Sequence, residues 1–306
     1  MRAYLLRRVW QSGVTLVGVS VLVFVILRVI PGDPAKMLLP EGAPPAAVEE
    51  LNRQLGLREP LWRQYAIFLR SVARGDFGQS FQYRSPALRV VIERIPATLQ
   101  LTVSAMALTV AAGVSLGVLA AARQRTVWDY GGTILAVLCQ SLPNFWLGIM
   151  LVLLFGVTLR WLPTSGFHGW PSLVLPSVTL AAFPTALVAR LTRSSLLEIL
   201  GQEYIRTGRA KGLGERRVIL WHALRNATIP LLTVLGLQIG TLLGGAVITE
   251  SIFAWPGMGK LVVDAIFFRD FPVVQTILIL SATIFVVINL AVDVLYTVLD
   301  PRIRYG

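Results

Sequence analysis

Cysteine occurs once in the chain, at Cys139 inside an apolar run, which excludes an intrachain disulfide and leaves that thiol as inert packing. Histidine is almost as scarce. His168 and His222 stand apart with no carboxylate or thiol cluster around either, so no metal site is expected. Charge is thin as well, at 14% of residues against roughly 25% in soluble domains. A phosphate loop is missing: Trp255-Pro256-Gly257-Met258-Gly259-Lys260 lacks the first glycine at the required spacing and the hydroxyl residue after the lysine. ATP use by this chain alone is therefore not expected. No nucleophile, base and orienting residue are grouped, and no paired carboxylates recur, so no enzyme site is expected either. Internal repeats and low-complexity tracts are also lacking.

What the chain has in quantity is apolar residues, 55% of 306, with a mean hydropathy of +0.68. Those values imply a polytopic membrane protein. The formal charge of +12 would suit a nucleic-acid binder, but the basic residues collect at the ends of apolar spans rather than on a polar domain. Six runs are long enough to cross about 30 Å of hydrocarbon. They lie near Val9 to Ile30, Ala97 to Ala122, Gly131 to Val157, Ser172 to Leu196, Ala227 to Ser251 and Pro272 to Leu299. The first is too long for a signal-peptide core and ends in Pro31-Gly32-Asp33-Pro34 without a small-residue cleavage site, so it reads as an uncleaved span. An even number of spans puts both termini on one side, and positive charge decides which. With the termini inside, the inner segments hold Arg2, Arg7, Arg8, Arg123, Arg125, Arg190, Arg193, the arginines between 206 and 225 with Lys211, and Arg302 and Arg304, whereas the two short outer loops hold only Arg160, Lys260 and Arg269.

Between Pro31 and Pro96 an external segment is expected. Pro44-Pro45 opens one helical pattern with Val48, Leu51 and Leu55, and Pro60 opens another with Leu61, Tyr65, Phe68, Leu69 and Val72. Neither helix forms a core alone; such a cap either packs on the bundle or docks an external protein. Gly236, Gly240 and Gly244 on the fifth span, like Gly113 and Gly117 on the second, fall four apart, the spacing of close helix packing. Pro176, Pro184 and Pro230 are expected to kink or interrupt their helices.

Polar side chains inside spans are costly and therefore informative. Gln140, Ser141 and Asn144 in the third span share a face if the helix is continuous, and with Gln238 and Asn289 they are the candidate pathway-lining positions. The competing reading for each is an interhelical hydrogen bond. Asp293 suits an inner salt bridge, and Glu250 near the outer mouth either binds a cationic group or is solvated.

One long basic segment, Glu203 to Pro230, stands between two spans. Gly212-Leu213-Gly214 separates two short helical patterns, because two glycines so close cost about 2 kcal/mol in a helix interior. Val218, Trp221 and Leu224 recur at helical spacing opposite Arg216, Arg217 and Arg225, which predicts a helix-turn-helix with one apolar and one basic face. Arg206-Thr207-Gly208-Arg209-Ala210-Lys211-Gly212 followed by His222-Ala223-Leu224-Arg225-Asn226-Ala227 resembles the coupling loop of ABC importer permeases of the dipeptide, oligopeptide and nickel branch. Leu27-Arg28-Val29-Ile30-Pro31-Gly32-Asp33-Pro34, Gly75-Asp76-Phe77-Gly78-Gln79-Ser80 and Pro143-Asn144-Phe145-Trp146-Leu147-Gly148 are similar to signatures of that branch. So are Arg190-Leu191-Thr192-Arg193-Ser194-Ser195, Phe253-Ala254-Trp255-Pro256-Gly257 and Asp300-Pro301-Arg302-Ile303-Arg304, in the expected order. One departure is that the generic importer loop begins with an acidic residue and two alanines where this chain has Arg206, Thr207 and Gly208, a variation usual in the peptide branch.

The resemblance implies an all-α integral membrane protein of the type I importer permease fold, with six transmembrane helices and an external helical segment after the first. Residues 1–96 would be the first span plus that segment, 97–299 the permease core with its coupling loop at about 197–226, and 300–306 a cytoplasmic tail. It further implies a non-catalytic inner-membrane subunit, with both termini cytoplasmic, that carries peptides by alternating access. The partners implied are a second homologous permease, two ABC subunits that bind ATP and Mg, an external substrate-binding protein and lipid; no cofactor resides in this chain and no nucleic acid is involved. Arg206, Thr207, Gly208, Arg209, Ala210, Lys211, Gly212, Leu213 and Gly214 would couple to the ATPases, a short helix including Ala210, Lys211, Gly212 and Leu213 fitting a groove on one of them. Peptides, from dipeptides to oligopeptides and glutathione, are the first expectation for the substrate, and nickel or a nickel chelate is the alternative. A secondary transporter, the rival from another class, would need ionisable groups for ion coupling inside the membrane, and only Asp293 offers itself.

Overall fold

The computed structural model describes residues 2–29, 44–54 and 59–299. Among these the chain is helical and forms no strand beyond an isolated bridge between Gln79 and Pro86. Two compact units form, one from Met1–Ile95 with Leu261–Leu290 and the other from Pro96–Lys260 with Ala291–Gly306.

In the first unit, α1 (Arg2–Val29) is the uninterrupted apolar run expected from the sequence. Prolines then start the helices, because their fixed φ is already helical and their missing N–H is needed by no one at a first turn. Pro45 opens α2 (Pro45–Gln54) and Pro60 precedes α3 (Leu61–Ala73). Leu55 lies outside the described residues. The α3 helix packs on α1: the Ser20 and Tyr65 hydroxyls share a 2.7 Å hydrogen bond, and Phe24 meets Tyr65 edge-on at 5.1 Å. Arg28 lies 3.5 Å over the Phe24 ring while its Nε donates to Gln64 Oε1 at 2.8 Å. Of the apolar stripe on α3, Phe68 is buried and Tyr65 and Val72 half-buried, but Leu61 and Leu69 stay exposed, so the packed face is narrower than the apolar one. A further short helix, α4 (Ala87–Ile92), follows Pro86 and was not expected. The Gly75–Ser80 motif is pinned ahead of it: Ser80 Oγ and the Gln82 N–H both donate to the buried Asp270 carboxylate, which precedes the long helix beginning at Phe271.

In the second unit the order is α5 (Ile95–Ala122), α6 (Val127–Ser141), α7 (Asn144–Leu151) and α8 (Pro171–Leu200). Then come α9 (Glu203–Ala210), α10 (Glu215–Arg217) and α11 (Leu224–Ile252), while most of α12 (Met258–Phe267) and of α13 (Phe271–Leu299) belongs to the first unit. Lipid gives helices no hydrophobic reason to associate, so close approach and shape must do it. A Cβ on Gly117 would come within 2.5 Å of Thr192 Cβ and 2.6 Å of the Ala189 carbonyl, which shows how closely the α5 backbone lies against α8. Leu101 and Ala105 of α5, Leu180 and Ala181 of α8, and Leu242 and Ala246 of α11 bury one core with Trp255. Its indole Nε1 donates to the Ala97 carbonyl at 2.9 Å, and Phe167 meets its ring edge-on at 5.1 Å. Helices α8 and α11 run on through Pro176, Pro184 and Pro230.

Among the described residues five helices are long and apolar enough to cross a membrane, six if α6 and α7 with its continuation Val152–Thr158 count as one span. That third span is not the continuous helix the sequence suggested. It bends by 105° between Ser141 and Asn144, since Pro143 cannot donate to the ladder and holds Leu142 extended, at φ −81° and ψ 128°.

Candidate functional site

The segment Glu203–Asn226 folds as a helix, a tight turn and a second helix that continues into α11. Of the four residues expected in the coupling helix only Ala210 is helical; Lys211 to Gly214 make the turn. Gly212 sits at φ +83°, where a side chain is strained whatever the space around it, and its N–H closes the turn onto the Arg209 carbonyl at 2.9 Å. Leu213 then donates back to the Gly208 carbonyl at 3.2 Å.

Apolar contacts seat this loop on the ends of the long helices. Ile205 of α9 is buried with Ala121 of α5, Leu196 of α8, and Val218, Ala223 and Ala227 at the root of α11. Displacing α9 therefore means displacing those helix ends. The expected apolar face is corrected at one position, for Trp221 is 71% exposed and shares a cavity with Arg216, Arg217 and Arg225. The cause is a π-helix over Val218–Ala223, whose i→i+5 bonding makes the buried positions Val218 and Ala223 recur five apart.

Charges on α9 are neutralised internally. Arg206 Nη1 donates to Glu203 Oε1 at 2.7 Å, and Arg209 grips Glu215 through two bonds of 3.1 and 2.7 Å. The Arg209 guanidinium holds the Glu215 carboxyl below the usual carboxylate range, and Glu215 in turn raises the Arg209 pKa. Asn226 Nδ2 donates to the Tyr204 hydroxyl at 2.7 Å and fastens α9 to α11.

The candidate pathway-lining residues occupy different settings. Gln140 and Ser141 end α6 and Asn144 starts α7, so the bend removes the common helical face expected of them. Ser141 Oγ bonds its own helix at Val137 O, 2.9 Å away. Gln238 of α11 is buried with Oε1 unpartnered, and Asn289 Nδ2 bonds the Phe285 carbonyl on its own helix at 2.8 Å. No hydrogen bond joins Gln140, Ser141, Asn144 and Gln238 to one another among the described residues. Gly236 is buried and Gly240 half-buried, while a Cβ on Gly244 would meet open space within this chain. Asp293 is buried. Among the described residues no three His, Cys, Asp or Glu side chains group as metal ligands would.

Two buried carboxylates carry more structure than the sequence suggested. Glu250 neither faces a substrate nor is solvated: it is 0% exposed, accepting Thr98 Oγ1–H at 2.6 Å and the Lys260 N–H at 3.0 Å. Thr98 Oγ1 in turn accepts the Met258 N–H at 2.8 Å, so the pair holds the start of α12. Asp129, in the first turn of α6, takes two bonds from Arg193 of α8, at 2.5 and 2.8 Å, and a third from the Arg125 N–H at 3.0 Å. A carboxylate in an apolar run must find such partners, and that was the available signal.

Residues 113–305 match the family described as binding-protein-dependent transport system inner membrane component, and residues 1–102 match its N-terminal counterpart. The dipeptide transport system permease protein DppB of Alkalihalophilus pseudofirmus is 42% identical over 333 residues, covering 100% of both chains. The di/tripeptide transport system permease protein DppB of Pseudomonas aeruginosa is 40% identical over 335 residues, covering 100% of this chain and 99% of its own. Among solved structures, a chain of the inward-facing MetNI methionine ABC transporter superposes with a TM-score of 0.59 at 19% identity, over 70% of this chain and 97% of its own, which is a likeness of fold.

Proposed function

The chain belongs to the family of binding-protein-dependent transport system inner membrane components, and on that premise we propose that it carries peptides inward as one permease of an ATP-driven importer. The observation that carries the peptide assignment is full-length identity of 40–42% to relatives named as dipeptide and di/tripeptide permeases. Energy has to come from outside the chain, which has no phosphate loop. Two ATPase subunits holding ATP and Mg supply it, a second homologous permease completes the pathway, and an external binding protein delivers the peptide.

Coupling runs through residues 206–214. The α9 helix presents a neutralised surface to the ATPase, while Ile205 and Tyr204 tie it to the ends of α5, α8 and α11. Closure of the ATPases pushes α9, and the seated helix ends follow, switching the pathway from inward-open to outward-open. Both termini and this loop lie in the cytoplasm, in keeping with the basic residues between 190 and 225. Gln140, Asn144 and Gln238, the last with a buried and unpartnered Oε1, serve the pathway or the second permease, and the open face at Gly244 serves that partner.

The test is uptake by the reconstituted complex with its binding protein, comparing labelled dipeptides, longer peptides, glutathione and chelated nickel. ATP-dependent dipeptide uptake is expected. Nickel uptake without peptide uptake would keep the fold and overturn the substrate.

A further inference from the structure

The arginines of the Glu203–Asn226 segment fall into two sets. Arg206 and Arg209 are paired with Glu203 and Glu215. Arg216, Arg217 and Arg225 have no carboxylate partner among the described residues, and they line one open cavity of about 1000 Å³ together with Trp221, Leu220 and His222. A regular α-helix would have turned Trp221 toward Val218 and the core; the π-helix turns it instead onto the arginine side, 71% exposed, beside Leu220 at 40%. An exposed indole and leucine among unpaired guanidiniums is a poor surface for water and a good one for an anion that carries a hydrocarbon tail.

Position along the helix points the same way. The uncharged run of α11 begins at Asn226, after Arg225, so Trp221 stands about 8 Å before it at 1.5 Å per residue, the depth at which headgroups lie and at which Trp collects in membrane proteins. A soluble anion would use only the arginines; a phospholipid uses the arginines for its phosphate and Trp221 and Leu220 for the start of its chains. Resting on the cytoplasmic placement of this loop proposed above, we infer that the α10–α11 groove binds the headgroup of an anionic phospholipid of the inner leaflet. The same loop then has two faces, a neutral α9 for a protein partner and a basic root of α11 held to the membrane surface, which gives α9 a fixed anchor to work against.

The test uses the intact permease assembly in nanodiscs of equal phosphatidylglycerol and phosphatidylcholine, with retained lipids counted by native mass spectrometry. At roughly fivefold per arginine, R216Q/R217Q/R225Q lowers the preference for phosphatidylglycerol by about two orders of magnitude, and each single variant by its share. Trp221→Ala lowers retention of both lipids, and R63Q/R89Q, removing surface arginines of α3 and α4, leaves the preference unchanged. An unchanged preference in the triple variant overturns the inference. So does loss of the ATPase subunits from the triple variant with lipid retention intact, which would make the groove a protein contact, or displacement of the lipid by millimolar inorganic phosphate. Gly214→Cys, whose side chain has open space, separates the failure of the topology: labelling from outside the cell retires the cytoplasmic reading, whereas labelling from inside with no lipid preference retires the lipid site alone.

Discussion

Replacing Arg193 by Met should destabilise the protein by about 2–3 kcal/mol, between the values for exposed and buried pairs. The Asp129 side chain is 3% exposed and the Arg193 side chain 31%, and they join through two bonds of 2.5 and 2.8 Å. An exposed pair contributes roughly 0–1 kcal/mol, whereas removing one partner of a fully buried pair costs about 3–5 kcal/mol because the other charge is left stranded. Methionine keeps most of the stem, so the loss reports the charge and its bonds rather than a cavity, and leaves Asp129 with the Arg125 N–H alone. Asp129→Asn with Arg193→Met removes both charges and should recover at least half of the loss. Reversible unfolding of the purified chain in mixed micelles, carried through the full double-mutant cycle, reads the coupling directly. Additive effects, or an Arg193→Met variant within about 0.5 kcal/mol of wild type, would refute the claim that this pair clasps α6 to α8.

Other expectations follow from single contacts. Gly117→Ala should cost about 1–3 kcal/mol, since its Cβ has no room against Thr192, while Gly244→Ala should leave the isolated chain's stability unchanged or slightly higher; the same unfolding assay checks both. Glu250→Ala should cost about 2–4 kcal/mol, because it leaves the buried Thr98 hydroxyl and Lys260 N–H without their acceptor, and a loss below about 0.5 kcal/mol would contradict the role given to it. The depressed Glu215 carboxyl contributes stability above the ordinary carboxylate pKa and loses it as pH falls through its lower folded value, so the hydrogen-exchange protection factors at residues 211–214, taken relative to the intrinsic rate at each pH, should fall on acidification. Exposure of both side chains, 39% and 56%, limits the effect to about 1 kcal/mol, and Glu215→Gln should remove the pH dependence.

Length and apolarity made the spans legible, and proline and glycine made the helix starts at Pro45 and Leu61 and the turn at Gly212 legible, because those signals are local. What stayed hidden depended on partners far along the chain. Glu250 looks like a surface acid beside Ser251 until Thr98, from another helix, is known to face it. Asp129 likewise meets Arg193 across 64 residues. One loss had a visible local cause and one had none. Leu142-Pro143 inside an apolar run marks the bend that separates Gln140 from Asn144. Periodicity counted at a helical spacing put Trp221 beside Val218, and only the π-helix, which no residue pattern announces, moved it. As for the candidate site, the turn at Gly212 was readable from its glycines; the anchorage of α9 through Ile205, and the pairing of Arg206 and Arg209 with Glu203 and Glu215, were not.

In the proposed coupling, α9 and the Lys211–Gly214 turn pass ATPase closure to the spans. The most direct test measures ATP hydrolysis and peptide uptake in the same proteoliposomes, for wild type and for Gly212→Val. At φ +83° with open space around the position, the substitution strains the turn by about 1–3 kcal/mol without a clash elsewhere. Assembly and hydrolysis persisting while uptake falls at least tenfold is the predicted result; uptake unchanged alongside normal hydrolysis would contradict it.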